Sequence, residues 1–296
     1  MLAFDRMTID PPFREQLRHA GLDSVSAIVA CQGDRLAAWS RTSDTIWCRI
    51  PTAVSSIYIK RYHYPRWRQR LRGMFRGTFF KASRARTEYR TLRLMRQLGI
   101  QAVRPIACGE RRTGHFLRSC FLITEAVPDA MPLSSFIRTF SRHRDGPIGR
   151  RVRRQVLGRL AMQIRHMHAS GFVHCDLFWR NVLIRSLPEG RFEFYFLDAS
   201  VGKRIRMQQW RQDSIVRDIA ALGVLAPDFC SKADQLRFLR GYLDKPRLDA
   251  DDRRWLRQVQ QQSAFLRAAE IRRLARASVF EMPISTSAAI GPSPEE

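Results

Sequence analysis

The chain has 296 residues, of which 52 are lysine or arginine and 27 are acidic, so its formal charge is +25. A hydrophobic fraction of 45% excludes a chain that is disordered throughout. The large basic excess predicts an acidic partner, such as a nucleic acid, an anionic membrane surface or a phosphorylated substrate. No apolar run reaches the roughly 18 residues that a membrane-spanning helix needs, and the first residues lack the apolar core of a secretory signal.

No two of the six cysteines form a CxxC motif. This scatter predicts reduced, cytosolic cysteines and argues against a zinc site or a disulfide framework. Only five of the basic residues are lysine, so a lysine at a meaningful position carries more information than usual.

The first half of the chain has the residue pattern that is typical of β-strands. Residues 1–30 give weak signals and are interpreted as an N-terminal extension with a short helix at 15–20. Three short runs rich in β-branched and aromatic residues then predict an antiparallel meander. These runs cover 36–40, 46–50 and 57–62.

Residues 65–81 form the most basic stretch of the chain. Three interpretations remain open for it: contact with an anionic membrane, a site for an acidic sugar, or a solvated surface. A helix is predicted over 83–98, with Ser83 or Thr87 as its cap and Gly99 at its end. The apolar run 121–127 predicts a buried strand.

The second half of the chain is mostly helical. Helices are predicted over 132–140 and 150–168, and about four more between 207 and 280. Two aromatic runs around the turn SLPEG predict a hairpin. Strands followed by helices indicate an α+β protein with two lobes. We therefore expect an N-lobe at 31–127, a C-lobe at 128–282 and a disordered tail at 283–296.

The motif HCDLFWRN, which contains Asp176 and Asn181, lies between the long helix and the hairpin, and the hairpin ends in Asp198. Phosphoryl transfer needs hard oxygen ligands that hold Mg²⁺ on the nucleotide phosphates, and another carboxylate that orients the attacking hydroxyl. Asn181 and Asp198 fit the first task as metal ligands, and Asp176 fits the second. The sequence therefore predicts a phosphotransferase site.

Lys60 in the third strand and Glu88 in the next helix complete this pattern. A strand lysine that reaches phosphates needs a carboxylate that holds its extended rotamer and keeps it charged. We therefore predict that Lys60 and Glu88 form an ion pair that positions ATP. The alternative is a surface lysine with an unrelated helix glutamate.

This order of residues is protein-kinase-like, and the chain resembles the bacterial lipopolysaccharide kinase family, the Kdo and heptose kinases of the WaaP type. The matching pieces include YIKRYHYP, SRARTEYRTLRLMRQLGIQAVRPIACGER, FLITEAV, MHASGFVHCDLFWRNVLI, FYFLDAS and VRDIAALGV. The resemblance implies a two-lobed kinase-like fold, with ATP and Mg²⁺ as cofactors. It also implies that Lys60 and Glu88 position ATP, that Asp176 is the base, and that Asn181 and Asp198 hold Mg²⁺.

The same resemblance implies that the acceptor is a sugar hydroxyl of the lipopolysaccharide inner core, a membrane-bound acidic glycolipid. Glu125 and Val127 fall where the connection between the lobes offers backbone groups to adenine. The chain departs from general protein kinases in having no GxGxxG in its first hairpin turn and no APE motif. Asp218 resembles the helix aspartate that braces the catalytic loop.

Two other functions remain as alternatives. One is a small-molecule phosphotransferase of the aminoglycoside or choline kinase kind. The other is a basic nucleic-acid-binding protein, which the charge alone suggests and which leaves the kinase-like residues unexplained; we expect no nucleic acid partner. We expect a cytoplasmic enzyme that is peripheral on the inner membrane, and the sequence leaves its oligomeric state open.

Overall fold

The structure is a computed structural model that describes residues 3–40, 42–50, 56–64, 82–141 and 147–278. The basic stretch 65–81 and the predicted tail 283–296 lie outside the described residues. The described part has helices and strands in the proportions of an α+β protein, and it divides into a sheet-rich first half and a helical second half. This confirms the predicted fold class.

One antiparallel sheet of six described strands forms the first half, with strand order β1-β5-β6-β4-β3-β2. Alternation of apolar residues along β4 places Ile57 and Ile59 in the core on one face, which is typical of a strand buried on that side. The bounds are β1 Ala3–Ile9, β2 Arg35–Ser40, β3 Ser43–Cys48, β4 Ile57–His63, β5 Pro105–Thr113 and β6 Phe116–Glu125. The predicted meander is present as β2, β3 and β4.

Residues 3–30 add an edge strand and two helices to this sheet, which their weak sequence signal did not indicate. Strand β1 pairs with β5 along its whole length, and helices α1 (Arg14–His19) and α2 (Val25–Ala30) cover the sheet. Leu17 and Ile28 are fully buried in the resulting apolar cluster. These contacts are long-range in sequence, so local periodicity carried no trace of them.

Helix α3 (Arg84–Gln97) packs on the other face of the sheet, within a residue or two of the predicted bounds. The Ser83 hydroxyl accepts a hydrogen bond from the Arg86 N–H and so caps the first turn. Leu92 and Met95 are fully buried, and this apolar stripe fixes the rotation of the helix. That rotation turns Glu88 inward, where only 3% of its surface is exposed.

The second half contains two long helices and several shorter elements. The helices are α4 Leu133–Ser141, α5 Pro147–Ala169, α6 Gln208–Gly223, α7 Ala226–Phe229, α8 Lys232–Leu243 and α9 Ala250–Ser278. The short strands are β7 Ala130–Pro132, β8 Phe172–Val173, β9 Val182–Ser186, β10 Phe192–Phe196 and β11 Lys203–Arg204. Strands β9 and β10 form the predicted hairpin, and β7 pairs with β9.

Two features of this half position the site. Backbone hydrogen bonds join Val103 and Gln101 to Phe196, so the end of the β9–β10 hairpin is tied to the first half of the chain. An apolar cavity of about 660 Å³ lies among α4, α5, α6, α8 and α9, and Trp179 of the loop before β9 forms part of its wall. Within the described residues, no helix combines the length and hydropathy that crossing a bilayer requires.

Candidate active site

Lys60, Glu88 and Asp198 meet between the sheet and the β9–β10 hairpin. Lys60 Nζ lies 3.3 Å from Glu88 Oε2 and 2.9 Å from Asp198 Oδ1. Strand β4 supplies the lysine, helix α3 the glutamate, and the end of β10 the aspartate. The structure thus brings together three predicted residues that are far apart in the sequence.

In this cluster a single ammonium group, that of Lys60, lies beside the two carboxylates of Glu88 and Asp198. Burial opposes the charge of Lys60, but Glu88 and Asp198 outweigh it and raise the pKa of Lys60 above its usual range. Burial raises the pKa of Glu88 despite the attraction of Lys60. Burial also acts on Asp198, but there Lys60, with Arg84 assisting, outweighs it and lowers the pKa. Lys60 therefore remains a cation, and Asp198 remains the ionised partner that faces the cleft.

The loop before β9 holds Asp176 and Asn181 against each other. Asn181 Nδ2 donates to Asp176 Oδ2 at 2.8 Å and to the Asp176 backbone carbonyl at 2.8 Å. The backbone of Asn181 accepts a hydrogen bond from the Leu197 N–H, which places the loop beside Asp198. His174 is fully buried, and its Nε2 lies 3.0 Å from the Leu197 carbonyl oxygen, so it packs and bonds within the loop.

A buried network on three helices supports the same loop. Asp218 on α6 accepts the His174 backbone N–H at 2.7 Å and is fully buried. His168 at the end of α5 bridges Asp218, at 3.3 Å, and the Tyr242 hydroxyl of α8, at 2.8 Å. The contact of Asp218 with the loop backbone agrees with the bracing role that the sequence suggested. His168 looked ordinary in the sequence, because nothing local indicates its partners.

Two non-glycine residues at the site have left-handed backbone conformations. Cys175 has φ 64° and Asp198 has φ 54°, and each costs about 1–3 kcal/mol unless its surroundings impose it. Such strain concentrates where a side chain must be aimed at a ligand. Burial raises the pKa of the Cys175 thiol to about 11, so this residue is a neutral packing group and not a reactive thiolate.

The residues predicted to hold Mg²⁺ are of a suitable type. Lys60 Nζ is close to Asp198 Oδ1 but not aligned for a hydrogen bond, so this buried oxygen has no hydrogen-bond partner in the described part of the chain. The side-chain nitrogen of Asn181 donates to Asp176, which leaves the side-chain oxygen Oδ1 for a cation. No group of three or more histidine, cysteine or acidic side chains among the described residues forms a complete metal site. Two hard oxygen ligands fit Mg²⁺, which commonly completes its shell with phosphates and water.

Glu125 is the last residue of β6, and Val127 lies in the connection between β6 and β7. The N–H groups of Glu125 and Ala126 donate to the carbonyls of Arg104 and Ser56. These bonds fix the course of the connection. Both predicted residues are partly buried.

Three charged residues of the site were missed in the sequence. Arg84, the first residue of α3, lies 3.5 Å from Asp198 Oδ1, and its Nε donates to Ser200. Arg180 Nη2 lies 3.3 Å from Asp176 Oδ1 and Nη1 lies 2.7 Å from Glu270 Oε2. The four-residue spacing of Asp176 and Arg180 was a usable local signal, whereas Glu270 is separated by most of the C-lobe.

Comparisons with known proteins agree with this geometry. The model of the lipopolysaccharide kinase (Kdo/WaaP) family matches residues 40–242. The lipopolysaccharide core heptose(I) kinase WaaP of Pseudomonas aeruginosa is 26% identical over 168 residues, which are 55% of this chain and 60% of that protein. An Escherichia coli protein of the same name is 26% identical over 106 residues, which are 36% of this chain and 39% of that protein. The matches thus span less than two thirds of these relatives.

A solved structure titled "WaaP in complex with acyl carrier protein" has the same fold. It matches with a TM-score of 0.58 at 22% identity, covering 92% of this chain and 98% of that chain. The family model covers more than half of the chain and includes every residue that the sequence predicted for the site. The chain therefore belongs to the lipopolysaccharide kinase (Kdo/WaaP) family.

Proposed function

We propose that this protein transfers the γ-phosphoryl group of ATP to a hydroxyl of a Kdo or heptose in the lipopolysaccharide inner core. The observation that carries the proposal is the convergence of Lys60, Glu88, Asp198, Asn181 and Asp176 in one cleft. Family membership supports the acceptor, because the matched relatives are named for heptose of the lipopolysaccharide core.

In this proposal each side chain has one task. Asp176 accepts a hydrogen bond from the sugar hydroxyl and takes its proton as the oxygen bonds to the γ-phosphorus and the bond to ADP breaks. Lys60, held by Glu88, contacts the phosphates. Asn181 and Asp198 hold Mg²⁺, which supplies charge neutralisation on the phosphates when bound.

We assign ATP binding to an N-lobe at 31–127 and sugar binding to a C-lobe at 128–282. The backbone of Glu125 and Val127 would meet adenine, since this connection lies between the two parts. The chain from Asp198 to Asp218 is taken up by β11 and the start of α6. That leaves little room for the segment on which protein kinases hold a folded substrate, which supports a smaller acceptor.

The acceptor class is tested with purified protein, Mg²⁺ and ATP. Transfer of labelled phosphate is compared for lipopolysaccharide core oligosaccharide, choline, an aminoglycoside and a generic protein substrate. We expect turnover with the core oligosaccharide alone. Turnover with choline or the aminoglycoside would favour the small-molecule kinase alternative.

We also propose that the protein works at the cytoplasmic face of the inner membrane. Membrane contact is one of the three interpretations of the basic stretch 65–81, and a second candidate lies next to the catalytic loop. There Val201, Met207 and Trp210 are 56–66% exposed, and Lys203, Arg204 and Arg206 are exposed between them. Exposed apolar and basic side chains in one short segment suit an anionic bilayer surface.

An acyl carrier protein is a second proposed partner. The solved WaaP structure is a complex with one, and this chain covers nearly all of that WaaP chain. The apolar cavity of about 660 Å³ is large enough to receive an acyl chain, and Trp179 links its wall to the catalytic loop. Calorimetry should show tighter binding of an acylated carrier than of the unloaded carrier. Equal affinities would mean that the cavity does not bind the acyl chain of the carrier protein.

A further inference from the structure

Glu270 on the last helix, α9, is joined to the catalytic loop through Arg180. The glutamate is only 4% exposed, and its Oε2 lies 2.7 Å from Arg180 Nη1. The other amino group of Arg180, Nη2, lies 3.3 Å from Asp176 Oδ1 and 3.5 Å from Oδ2. A chain of charges thus runs from the C-terminal helix to the proposed base.

This arrangement restrains Asp176 from both ends of its carboxylate. Asn181 donates to Oδ2, and Arg180 stands closest to Oδ1. The Arg180 guanidinium also lies over the Phe178 ring, 4.1 Å from its centroid. A free arginine side chain has several rotamers, so a buried carboxylate that accepts a hydrogen bond from its Nη1 reduces the freedom of the whole group.

We propose that Glu270 is a positioning residue for phosphoryl transfer: it holds Arg180 against Asp176, so that the carboxylate faces the acceptor hydroxyl. The proposal rests on the proposed function of Asp176 as the base. Glu270 lies outside residues 40–242 that match the family model, and no motif of the sequence pointed to it. A misplacement of about 1 Å at a reacting group lowers rates by about a hundredfold, which is the scale that such a residue controls.

A purely structural role is the alternative. Glu270 also accepts hydrogen bonds from Arg273 on the same helix, at 2.9 and 3.0 Å. In that case, loss of Glu270 would loosen α9 and lower stability, with no specific effect through Arg180. The two roles differ in whether the effect of Glu270 requires Arg180 to be present.

The experiment is a double-mutant cycle on full-length protein with Glu270→Gln and Arg180→Ala. Glu270→Gln should lower kcat about tenfold to a hundredfold and leave the KM for ATP unchanged, because nucleotide contacts lie elsewhere. In the Arg180→Ala background the same change should have no further effect on kcat. A kcat within twofold of the wild type, or an equal loss in both backgrounds, would overturn the proposal.

Two controls separate positioning from loosening of the helix. Asp228→Asn removes a different ion pair of α9, that of Arg267 with Asp228 at 2.8 Å, and should leave kcat unchanged. Arg180→Lys keeps the charge but lacks the planar fork, so it should reproduce the loss of kcat with an unchanged Tm. If Glu270→Gln does not fold, the result with Arg180→Lys decides, and a normal kcat there would refute the proposal.

The acceptor does not have to be known for this test. Wild-type protein that fails on every sugar acceptor would contradict the proposed function. The slow hydrolysis of ATP, in which a water molecule takes the place of the sugar hydroxyl beside Asp176, would then measure the effect of Glu270 without a sugar acceptor. The same pattern of losses in hydrolysis would support the positioning role, and equal hydrolysis by all variants would reject it.

Discussion

Asp176 and Asp198 have different surroundings, although both are carboxylates in the same cleft. Asp176 is 32% exposed and contacts Asn181 and Arg180. Asp198 is 25% exposed, contacts the two cations Lys60 and Arg84, and is held in a left-handed conformation. The cations beside Asp198 suit phosphate binding and keep its carboxylate ionised for a metal, whereas the more open carboxylate of Asp176 can meet an acceptor.

The division of labour between these residues can be measured. Asp176→Asn should keep its affinity for Mg²⁺–ATP and lose most turnover, by about 10²–10⁴-fold, because it removes a proton acceptor and not a metal ligand. Asp198→Asn should weaken Mg²⁺–ATP binding, measured by calorimetry. Equal nucleotide affinities for the two variants would contradict the assignment, as would near-normal turnover of Asp176→Asn.

Lys60 should contribute strongly to stability, because it neutralises a buried glutamate. Replacing Lys60 by Met removes the ion-pair partner of the buried Glu88, which should cost about 3–5 kcal/mol in the free energy of unfolding. Glu88→Gln should cost less, since Lys60 keeps Asp198 as its partner. Urea denaturation of both variants checks the order, and a larger loss for Glu88→Gln would refute it.

Lys60 and Glu88 should also act as one unit in catalysis. Either single change disorders the lysine that contacts the phosphates, so the effects of the two changes on kcat/KM should be strongly non-additive. Steady-state kinetics of Lys60→Met, Glu88→Gln and the double variant give this coupling. Additive losses would mean that the two residues act separately.

At the scale of elements, side chains of three helices form one network that reaches the catalytic loop through Asp218. Helix α6 supplies Asp218, α5 supplies His168, and α8 supplies Tyr242. These hydrogen bonds are buried, so no water competes for the partners. The loop that carries Asp176 therefore has a rigid support, although it is not itself regular structure.

Removing the Asp218 carboxylate should destabilise the protein more than removing the Tyr242 hydroxyl from the same hydrogen-bond network. Asp218→Ala leaves the His174 N–H and His168 Nε2 without their partner and should cost about 2–3 kcal/mol. Tyr242→Phe removes one hydroxyl and should cost about 1 kcal/mol. Thermal unfolding followed by circular dichroism checks both values. Similar losses would indicate that the network is not centred on Asp218.

At the scale of the whole molecule, the two halves share one apolar cluster. Leu92 and Met95 of α3 belong to the same buried group as Phe172 and Phe196 near the catalytic loop. A separate cluster lies on the outer face of the six-stranded sheet. A net charge of +25 bears on the choice of partners and not on the fold.

The proposed membrane contact predicts a response to lipid charge and to salt. Each basic residue near an anionic surface contributes roughly 1 kcal/mol of attraction, which salt screens within about 8 Å at physiological strength. Changing Lys203, Arg204 and Arg206 to Gln should weaken sedimentation with anionic vesicles and leave ATP binding intact. The control changes Arg253, Arg254 and Arg257 on α9, which removes the same charge. Equal loss in both variants would mean that only net charge matters.

The elements that were predicted correctly are those whose signals lie within a short stretch of the sequence. The sequence predicted helix α3, its Ser83 cap, the β9–β10 hairpin and the residue types of the phosphotransferase site. Each of these depends on spacing within a short stretch, where periodicity and capping chemistry are decisive. The pairing of Lys60 with Glu88 was also accessible, because kinase chemistry requires a carboxylate for such a lysine.

Other features depended on contacts between distant segments. The sequence by itself determined the two-part α+β order and the residue types predicted for the phosphotransferase site. Only the tertiary structure decided that β1 closes the edge of the sheet, that His168 joins Asp218 and that Glu270 reaches Arg180. These contacts join residues that are 50 or more positions apart, and their energies come from burial and charge pairing that no local pattern records.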